Sequence, residues 1–453
     1  MRFDFSGLPL REKAYSRTPE AFLDRAPKSF LSAMLDLALI ETGDRAAREF
    51  WQHRQLQNLL AHAHQRSPFW RKRIGTLRSR GVALADLPVL SRAEIVHQVE
   101  TEGPLVKESE FGKLFTHSTS GSSGTPVSFF QAAHNSNYHT VRNAAQYFIE
   151  GRDLSLNRTR FYQAKNAVPG FKVETSESWM QPLATLVRTG LGRQIEYFRP
   201  DIRALCRAME QHPAGYLVIQ PRLVELILQH VEPAFFARIG TAMLISIGEA
   251  VPPEMRAIFA GQQIPVRGTY SSEEIGTIGF ECERVGGSFH VATSNVIVEV
   301  IPENVRSDEP GAGRVLLTNL HSYATPFIRY DVGDIAILGD RCACGHDGPA
   351  LSGVSGRAKM FLKHDDGRIS PFHVRASEFT AAGALDEYRV RQTGYRTIVV
   401  EIGGRTSLSS EETSAFANVV RRHAGEGFDI EVRPVASIDW GPSSKRLGFV
   451  CEI

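Results

Sequence analysis

The sequence predicts an α/β protein in two parts, a large layered N-terminal domain over residues 1–355 and a small α+β C-terminal domain over residues 356–453. Three observations carry that expectation. The chain of 453 residues exceeds the size at which one hydrophobic core usually stops growing. Between residues 113 and 330, short β-rich runs such as Met243 to Ile247 and Asn295 to Ile301 alternate with helical stretches such as Pro221 to His230, the pattern of a layered α/β arrangement. After Gly356 the pattern resets: Tyr388 to Glu401 and Ile430 to Pro434 read as strands around the helical stretch Ser410 to His423.

Taken in order, residues 1 to 30 show no clear periodicity. Residues 31 to 63 place apolar side chains three and four apart, as in Leu56, Leu59, Leu60 and Ala63, and read as helices. Ser67-Pro68-Phe69-Trp70 ends them, because the residue before a proline is pushed away from helical angles. Leu87-Pro88-Val89-Leu90 reads as a loop, and Ser91 as the cap of a following helix.

Hydrophobic residues at 42% and charged residues at 23% supply enough apolar surface for sizeable cores, which excludes wholesale disorder. A net charge of +2 without a run of Lys or Arg argues against nucleic acid as a partner. No apolar stretch approaches the roughly 20 residues that cross a bilayer, and the N-terminus lacks a leader pattern, so the expectation is a cytoplasmic protein with no membrane partner. Five cysteines in this length do not make a disulfide framework.

The chemistry concentrates in a few segments. Thr116-His117-Ser118-Thr119-Ser120-Gly121-Ser122-Ser123-Gly124-Thr125-Pro126 packs glycines and hydroxyls into one loop. Glycine lets backbone approach an anion, successive N–H groups form a nest for phosphate oxygens, and small hydroxyls add donors without bulk. By composition alone the same stretch also reads as a surface linker. It is not a Walker A loop, since no Gly-Lys-Ser/Thr ending follows.

The order Ser/Thr-Ser-Gly-Ser-Ser-Gly-x-Pro resembles the phosphate loop of adenylate-forming enzymes, and further segments downstream match that superfamily in sequence. Ser246-Ile247-Gly248-Glu249-Ala250 resembles the loop lying along adenine. Gly268-Thr269-Tyr270-Ser271-Ser272-Glu273-Glu274-Ile275-Gly276 resembles the aromatic-acidic segment after it. The pattern Tyr-Ser-x-x-Glu-x-Gly is similar to the phenylacetate-CoA ligase-like, capsule-biosynthesis-like branch. The resemblance implies ATP and AMP contacts from Ser118, Thr119, Ser120, Gly121, Ser122, Ser123, Gly124 and Thr125, then Gly248, Glu249, Ala250, Tyr270 and Ser271. It makes Tyr270 the ring stacked on adenine and Glu274, in preference to Glu273, a catalytic carboxylate holding Mg2+. One hard oxygen ligand suffices where phosphates and water supply the rest.

Tyr323-Ala324-Thr325-Pro326-Phe327-Ile328-Arg329-Tyr330-Asp331-Val332-Gly333-Asp334 resembles the family segment whose final acid holds the ribose, here Asp334; a carboxylate can accept from two vicinal hydroxyls. Asp331 and Val332 replace the usual Arg-Thr, and Val127 replaces the basic residue that often follows the phosphate loop. Gly356-Arg357-Ala358-Lys359 resembles the hinge, with Lys359 at the pivot and Arg357 reaching the ribose. Gly441-Pro442-Ser443-Ser444-Lys445-Arg446 resembles the segment carrying the catalytic lysine, Lys445, with Ser444 where a glycine is customary. Such a lysine stabilises charge as pyrophosphate leaves.

Cys282, His290, Cys342 and Cys344 are a complete tetrahedral donor set for structural zinc. Buried thiols and a core histidine are the alternative. Relatives in the branch carry similar Cys-His and Cys-x-Cys-Gly elements, and His346 is a substitute ligand. The resemblance thus implies ATP-dependent activation of a carboxylic acid to its acyl-AMP and transfer to a thiol, with ATP, Mg2+, Zn2+ and coenzyme A as cofactors and co-substrates. An amide-forming ligase acting on an amine or carrier protein, and a nucleotide-binding scaffold without turnover, are the alternatives. Acid-pocket residues are expected from Asn137 to Phe148, Tyr216 to Arg222 and the stretch before Tyr270; a monomer and a homodimer fit equally.

Overall fold

The computed structural model describes residues 25–75, 83–118, 127–164, 168–301, 311–355, 361–372, 374, 376–440 and 448–453. The periodic N-terminal stretch folds as helices α1 (Arg25–Thr42), α2 (Arg45–Arg66) and α3 (Pro68–Ile74). Asp44 caps α2 by accepting from the Ala47 N–H at 2.8 Å. Ser67 closes α2 and caps α3, whose first position is Pro68, where a missing N–H costs nothing. In the sequence that proline reads only as the end of a helix; in the fold it also opens the next one. The helix α4 (Arg92–Glu102) starts at the expected Ser91, which forms a capping box with Glu94. A short helix, α5 (Glu108–Phe111), leads into the hairpin of β1 (Leu114–Ser118) and β2 (Ser128–Ala132), followed directly by α6 (Ala133–Ile149).

The next strands are β3 (Arg158–Gln163), β4 (Gly170–Ser176), β5 (Gly192–Phe198), β6 (Tyr216–Ile219), β7 (Met243–Ile247) and β8 (Val266–Ser272). They continue with β9 (Gly276–Glu281), β10 (Phe289–Val291), β11 (Val296–Ile301), β12 (Gly313–Asn319), β13 (Tyr330–Gly339) and β14 (Ala350–Ser355). All belong to one 12-stranded sheet in the order β11-β12-β13-β14-β10-β9-β8-β7-β6-β3-β5-β4. From β5 to β8 the neighbours run parallel. From β8 to β11 every pairing is antiparallel. Strand direction therefore reverses at β8, and open sheets bind ligands beyond the carboxyl ends of their strands where such a change occurs.

Side-chain alternation assigns the two faces of the parallel half. Leu217 and Ile219 of β6 and Leu244 of β7 join a core with the helices Ile202–Gln211, Pro221–Leu228 and Pro253–Ala260. Tyr216 and Val218 of β6 and Ile245 of β7 face the other way, into a core with α1 and α6. A third core packs α2, α3 and α4 against the antiparallel half, through Leu59, Trp70, Ile95, Leu317 and Tyr330.

Beyond the large sheet, β15 (Phe361–Lys363) pairs with β16 (Ile369–Pro371). The strands β17 (Glu387–Gly394), β18 (Thr397–Gly403), β19 (Asp429–Val435) and β20 (Phe449–Cys451) form a four-stranded sheet in the order β19-β18-β17-β20. The helix Ser410–Ala424 packs against it, so its core draws on Val390, Ile398, Val400, Phe416 and Val420, with every buried member at or beyond Leu362. The α+β expectation for this part agrees with these elements. Among the described residues no helix is long and apolar enough to cross a membrane.

Candidate active site

Two of the segments singled out in the sequence lie at the carboxyl ends of the parallel strands β7 and β8. Gly248, Glu249 and Ala250 form an exposed turn directly after β7. Gly248 has φ +77°, a left-handed value glycine adopts at little cost. The Ser246 hydroxyl donates to the Glu249 carbonyl at 3.1 Å and closes the turn. Tyr270 and Ser271 stand at the end of β8, and Glu274 sits in the turn to β9.

The phenol of Tyr270 donates to Oδ2 of Asp334 at 2.6 Å, although the two residues lie 64 positions apart. Burial, and then the adjacent Asp334 carboxylate, push the Tyr270 phenol well above its usual range, so it stays protonated and remains the donor. Asp334 has further acceptor sites, since a carboxylate offers about four lone-pair directions. Glu274 is 6% exposed and lies 3.4 Å from the hydroxyl of Tyr330, which donates to it. The adjacent Glu273 is exposed, so the two acids differ in burial as well as in sequence position.

Asp331, which departs from the Arg of the family pattern, has a local task. Its Oδ1 accepts from the Gly333 N–H at 2.9 Å and its Oδ2 from Nη1 of Arg314 at 2.8 Å. With Gly333 at φ +82°, this side-chain turn sets the position of Asp334. Arg329 anchors the same segment: its Nε donates to Glu299 at 3.1 Å and its Nη1 to the Ala85 and Leu87 carbonyls. The Leu90 N–H donates to the Arg329 carbonyl at 2.9 Å, and the Asp331 N–H donates to the Leu90 carbonyl at 3.0 Å. The Leu87–Leu90 stretch is thus stitched to the segment that carries Asp334.

The hairpin of β1 and β2 brings Ser118 opposite Ser128, which sets side by side the two ends of the glycine-serine segment. Ser118 is exposed and Val127 fully buried. Thr119, Ser120, Gly121, Ser122, Ser123, Gly124 and Thr125 lie outside the described residues, as do Arg357, Lys359 and Lys445. The Phe130 N–H donates to Oγ1 of Thr325 at 3.0 Å and ties β2 to the Asp334 segment. A narrow crevice lined by Phe129, Gln131, Asn135, Glu274, His321 and Tyr323 runs between them.

On the far side of the antiparallel half, Cys282, His290, Cys342 and Cys344 place one ligand atom each within 4.8 Å of one another. Cys282 directly follows β9, His290 is on β10, and Cys342 and Cys344 lie in the turn between β13 and β14. Strands β9, β10, β14 and β13 are successive neighbours, which explains how distant sequence positions converge. Sγ of Cys344 is 3.3 Å from Nε2 of His290. Backbone N–H groups of Arg284 and His346 donate to the sulfurs of Cys282 and Cys344, each at 3.4 Å. The five cysteines are all free. His346, the substitute ligand in sequence, instead stacks its ring on His290 with centroids 4.2 Å apart.

Some groups near the site were not legible in the sequence. Tyr138 stacks on His321 at 3.5 Å between centroids, and both donate to the Ser294 carbonyl, at 2.6 and 2.9 Å. Arg142 is fully buried and faces Glu41 of α1 at 3.4 Å. Neither pairing has a short-range signal. Tyr147 and Phe148, at the end of the Asn137–Phe148 stretch expected to line the acid pocket, pack into the core shared with α1 and Trp179.

In this sheet and its reversal at β8 the chain shares the fold of an acid-CoA ligase of known structure. It is similar to 2-hydroxyisobutyryl-CoA ligase in the postadenylation state in complex with R3-HIB-AMP, at 18% identity and a TM-score of 0.63 over 91% of each chain. In the thioesterification state, in complex with 2-HIB-AMP and CoA, that ligase matches at 17% identity and a TM-score of 0.57 over 100% of this chain and 97% of its own. No protein-family model and no curated protein matches the sequence.

Proposed function

We propose that this protein activates a carboxylic acid with ATP to an acyl-AMP and passes the acyl group to a thiol, coenzyme A in the first instance. The observation that carries the reading is the Tyr270–Asp334 hydrogen bond of 2.6 Å beside buried Glu274 at the carboxyl edge of a ligase-type sheet. In the first step a carboxylate oxygen of the substrate attacks the α-phosphorus; the new O–P bond forms as the bridging P–O bond breaks, and pyrophosphate leaves. In the second, a thiolate attacks the mixed anhydride, the C–S bond forms, and AMP departs with the C–O electron pair.

Protein groups in such a reaction position the reactants and stabilise charge. Tyr270 and the turn Gly248–Ala250 flank adenine, Asp334 takes the ribose hydroxyls with Arg357, and Ser118 to Thr125 cradle the phosphates. Glu274 is the acid for Mg2+, which supplies neutralisation of the triphosphate. Lys445 contacts the carboxylate and α-phosphate, and Lys359 is the pivot of a C-terminal lid beginning at residue 356. The separate core beyond Leu362 supports that division.

Three thiols and an imidazole within 4.8 Å suit structural zinc, with each side of the tetrahedron from a protein residue and no open position for water. The ion would tie the end of β9 to the turn before β14. The test of the function is pyrophosphate release from ATP-Mg across aryl, fatty and amino acids with Lys445→Ala alongside. Acid-dependent release lost in the variant supports the reading; ATP binding without release for any acid overturns it in favour of a scaffold, and an amide product in place of a thioester moves the acceptor to an amine.

A further inference from the structure

The turn between β8 and β9, which carries Glu274, is gripped from outside its own hairpin. Asn319 ends β12 and donates through Nδ2 to the Ile275 carbonyl at 3.0 Å. Asn295, fully buried just before β11, donates to the same carbonyl at 3.4 Å and to the Thr277 carbonyl at 2.7 Å. The Ile275 N–H goes to Oγ of Ser272 at 3.2 Å. Both peptide groups of Ile275, the residue after Glu274, are thus bonded by side chains. Strands β13, β14 and β10 stand between β12 and β9 in the sheet, so the two amides join parts of the sheet that share no ladder.

Asn319 is bonded through both polar atoms of its side chain and both of its backbone groups. Its Oδ1 accepts from the His321 N–H at 2.9 Å, its N–H donates to the Phe327 carbonyl at 2.9 Å, and its carbonyl accepts from the Ser322 hydroxyl at 3.0 Å. These bonds close a circuit. It runs from Asn319 to Phe327, along the chain to Tyr330, across the 3.4 Å bond from the Tyr330 hydroxyl to Glu274, and through Ile275 back to Asn319. Asp334 follows Tyr330 in β13 and is bonded by Tyr270 at the end of β8. The surroundings are apolar, with Ile275, Leu317, Leu320 and Phe327 in one core. A buried amide there is costly unless bonded, and a fully bonded polar network fixes a single geometry.

We propose that Asn319 is a positioning residue that holds the Glu274 carboxylate in register with Asp334, so that the metal acid and the ribose acid engage one nucleotide together; this rests on the adenylation reading above. A nucleoside triphosphate presents its ribose and its metal-bound phosphates over a limited span, and Mg2+ demands strict ligand geometry. A small displacement of a group that positions reactants is expensive in rate. Asn319 is 1% exposed, so it reaches no reactant itself and acts through Ile275 and the turn that presents Glu274. AMP, which carries no triphosphate-bound Mg2+, depends on the Tyr270–Asp334 side of the site and not on Glu274.

The experiment is ATP–pyrophosphate exchange, with an acid that the panel above shows to be activated, as a function of ATP and Mg2+. It is run on the parent protein, Asn319→Ala, Glu274→Gln and the double variant, with AMP binding by calorimetry and thermal melting on each. Asn319→Ala should raise the KM for ATP and the half-saturating Mg2+ by roughly tenfold, the worth of one buried hydrogen bond, while AMP affinity changes by less than about threefold. In the Glu274→Gln background the same substitution should cost less than about threefold more, because a residue acting through Glu274 has nothing left to position. If Asn319→Ala does not fold, Asn319→Ser, which keeps a donor, decides. An equal loss in both backgrounds, or AMP affinity falling as far as that for ATP, makes Asn319 a packing residue and overturns the inference while leaving adenylation standing. Absence of exchange in the parent protein with every acid overturns adenylation, and the inference with it.

Discussion

The Tyr270 hydroxyl and the Asp334 carboxylate meet at 2.6 Å across the sheet, joining the end of β8 to β13. A charge-assisted bond of this kind contributes about 1.5–3 kcal/mol. Tyr270→Phe should raise the KM for ATP by roughly tenfold, with a smaller effect on kcat. In a double-mutant cycle with Asp334→Asn, read by urea unfolding, the coupling should exceed about 0.5 kcal/mol; additive single effects would show the bond to be incidental.

Glu274 is buried with Tyr330 as its neighbour, so Glu274→Gln preserves shape while removing the charge. Pyrophosphate release should drop by about 100-fold or more, and raising Mg2+ should recover part of the loss. Glu273→Gln, on the exposed side of the same turn, should change the rate by less than about threefold. A reversed pattern would exchange the roles of the two acids.

Purified protein should contain about one zinc per chain, measured by elemental analysis. Cys342→Ser should lose the metal and lower the melting temperature by several degrees, as should a chelator on the parent protein. Retention of full stability after metal removal would reduce the cluster to packed thiols.

His321 supplies a pH dependence. Burial, against the opposing bond to the Ser294 carbonyl, pushes its imidazole down to about 3 from an ordinary 6.5. The unfolded chain therefore binds the proton first. The stabilisation is fully present above pH 6.5 and is lost as pH falls toward the folded value, with a slope of up to about 1.4 kcal/mol per pH unit from this residue. Urea unfolding between pH 6.5 and 4 should show it, and His321→Gln should flatten the slope by up to that amount.

The sequence and the fold inform each other unevenly. The strand Met243–Ile247 and the cap at Ser91 were legible because a short β-rich run and a capping residue are local signals. Tyr270 and Asp334, named from separate ordered motifs, meet in a hydrogen bond. The three cysteines and one histidine were legible as a set by residue type, yet only the adjacency of β9, β10, β14 and β13 explains their meeting. Asp331 read as a defect because its partners, Gly333 N–H and Arg314, leave no trace in the local pattern. Arg142 and Glu41 lie about a hundred positions apart, and no periodicity links them.

That last pair bears on how the protein can be handled. Glu41, near the end of α1, grips both residues of the Thr293–Ser294 pair just past β10 and faces buried Arg142. A fragment trimmed to begin after Thr42 would strip away that carboxylate, leaving an uncompensated guanidinium inside the molecule and the Ser294 N–H without its acceptor. Helix α1 is a structural wedge, and expression fragments or fusion junctions designed as though it were dispensable should yield insoluble protein.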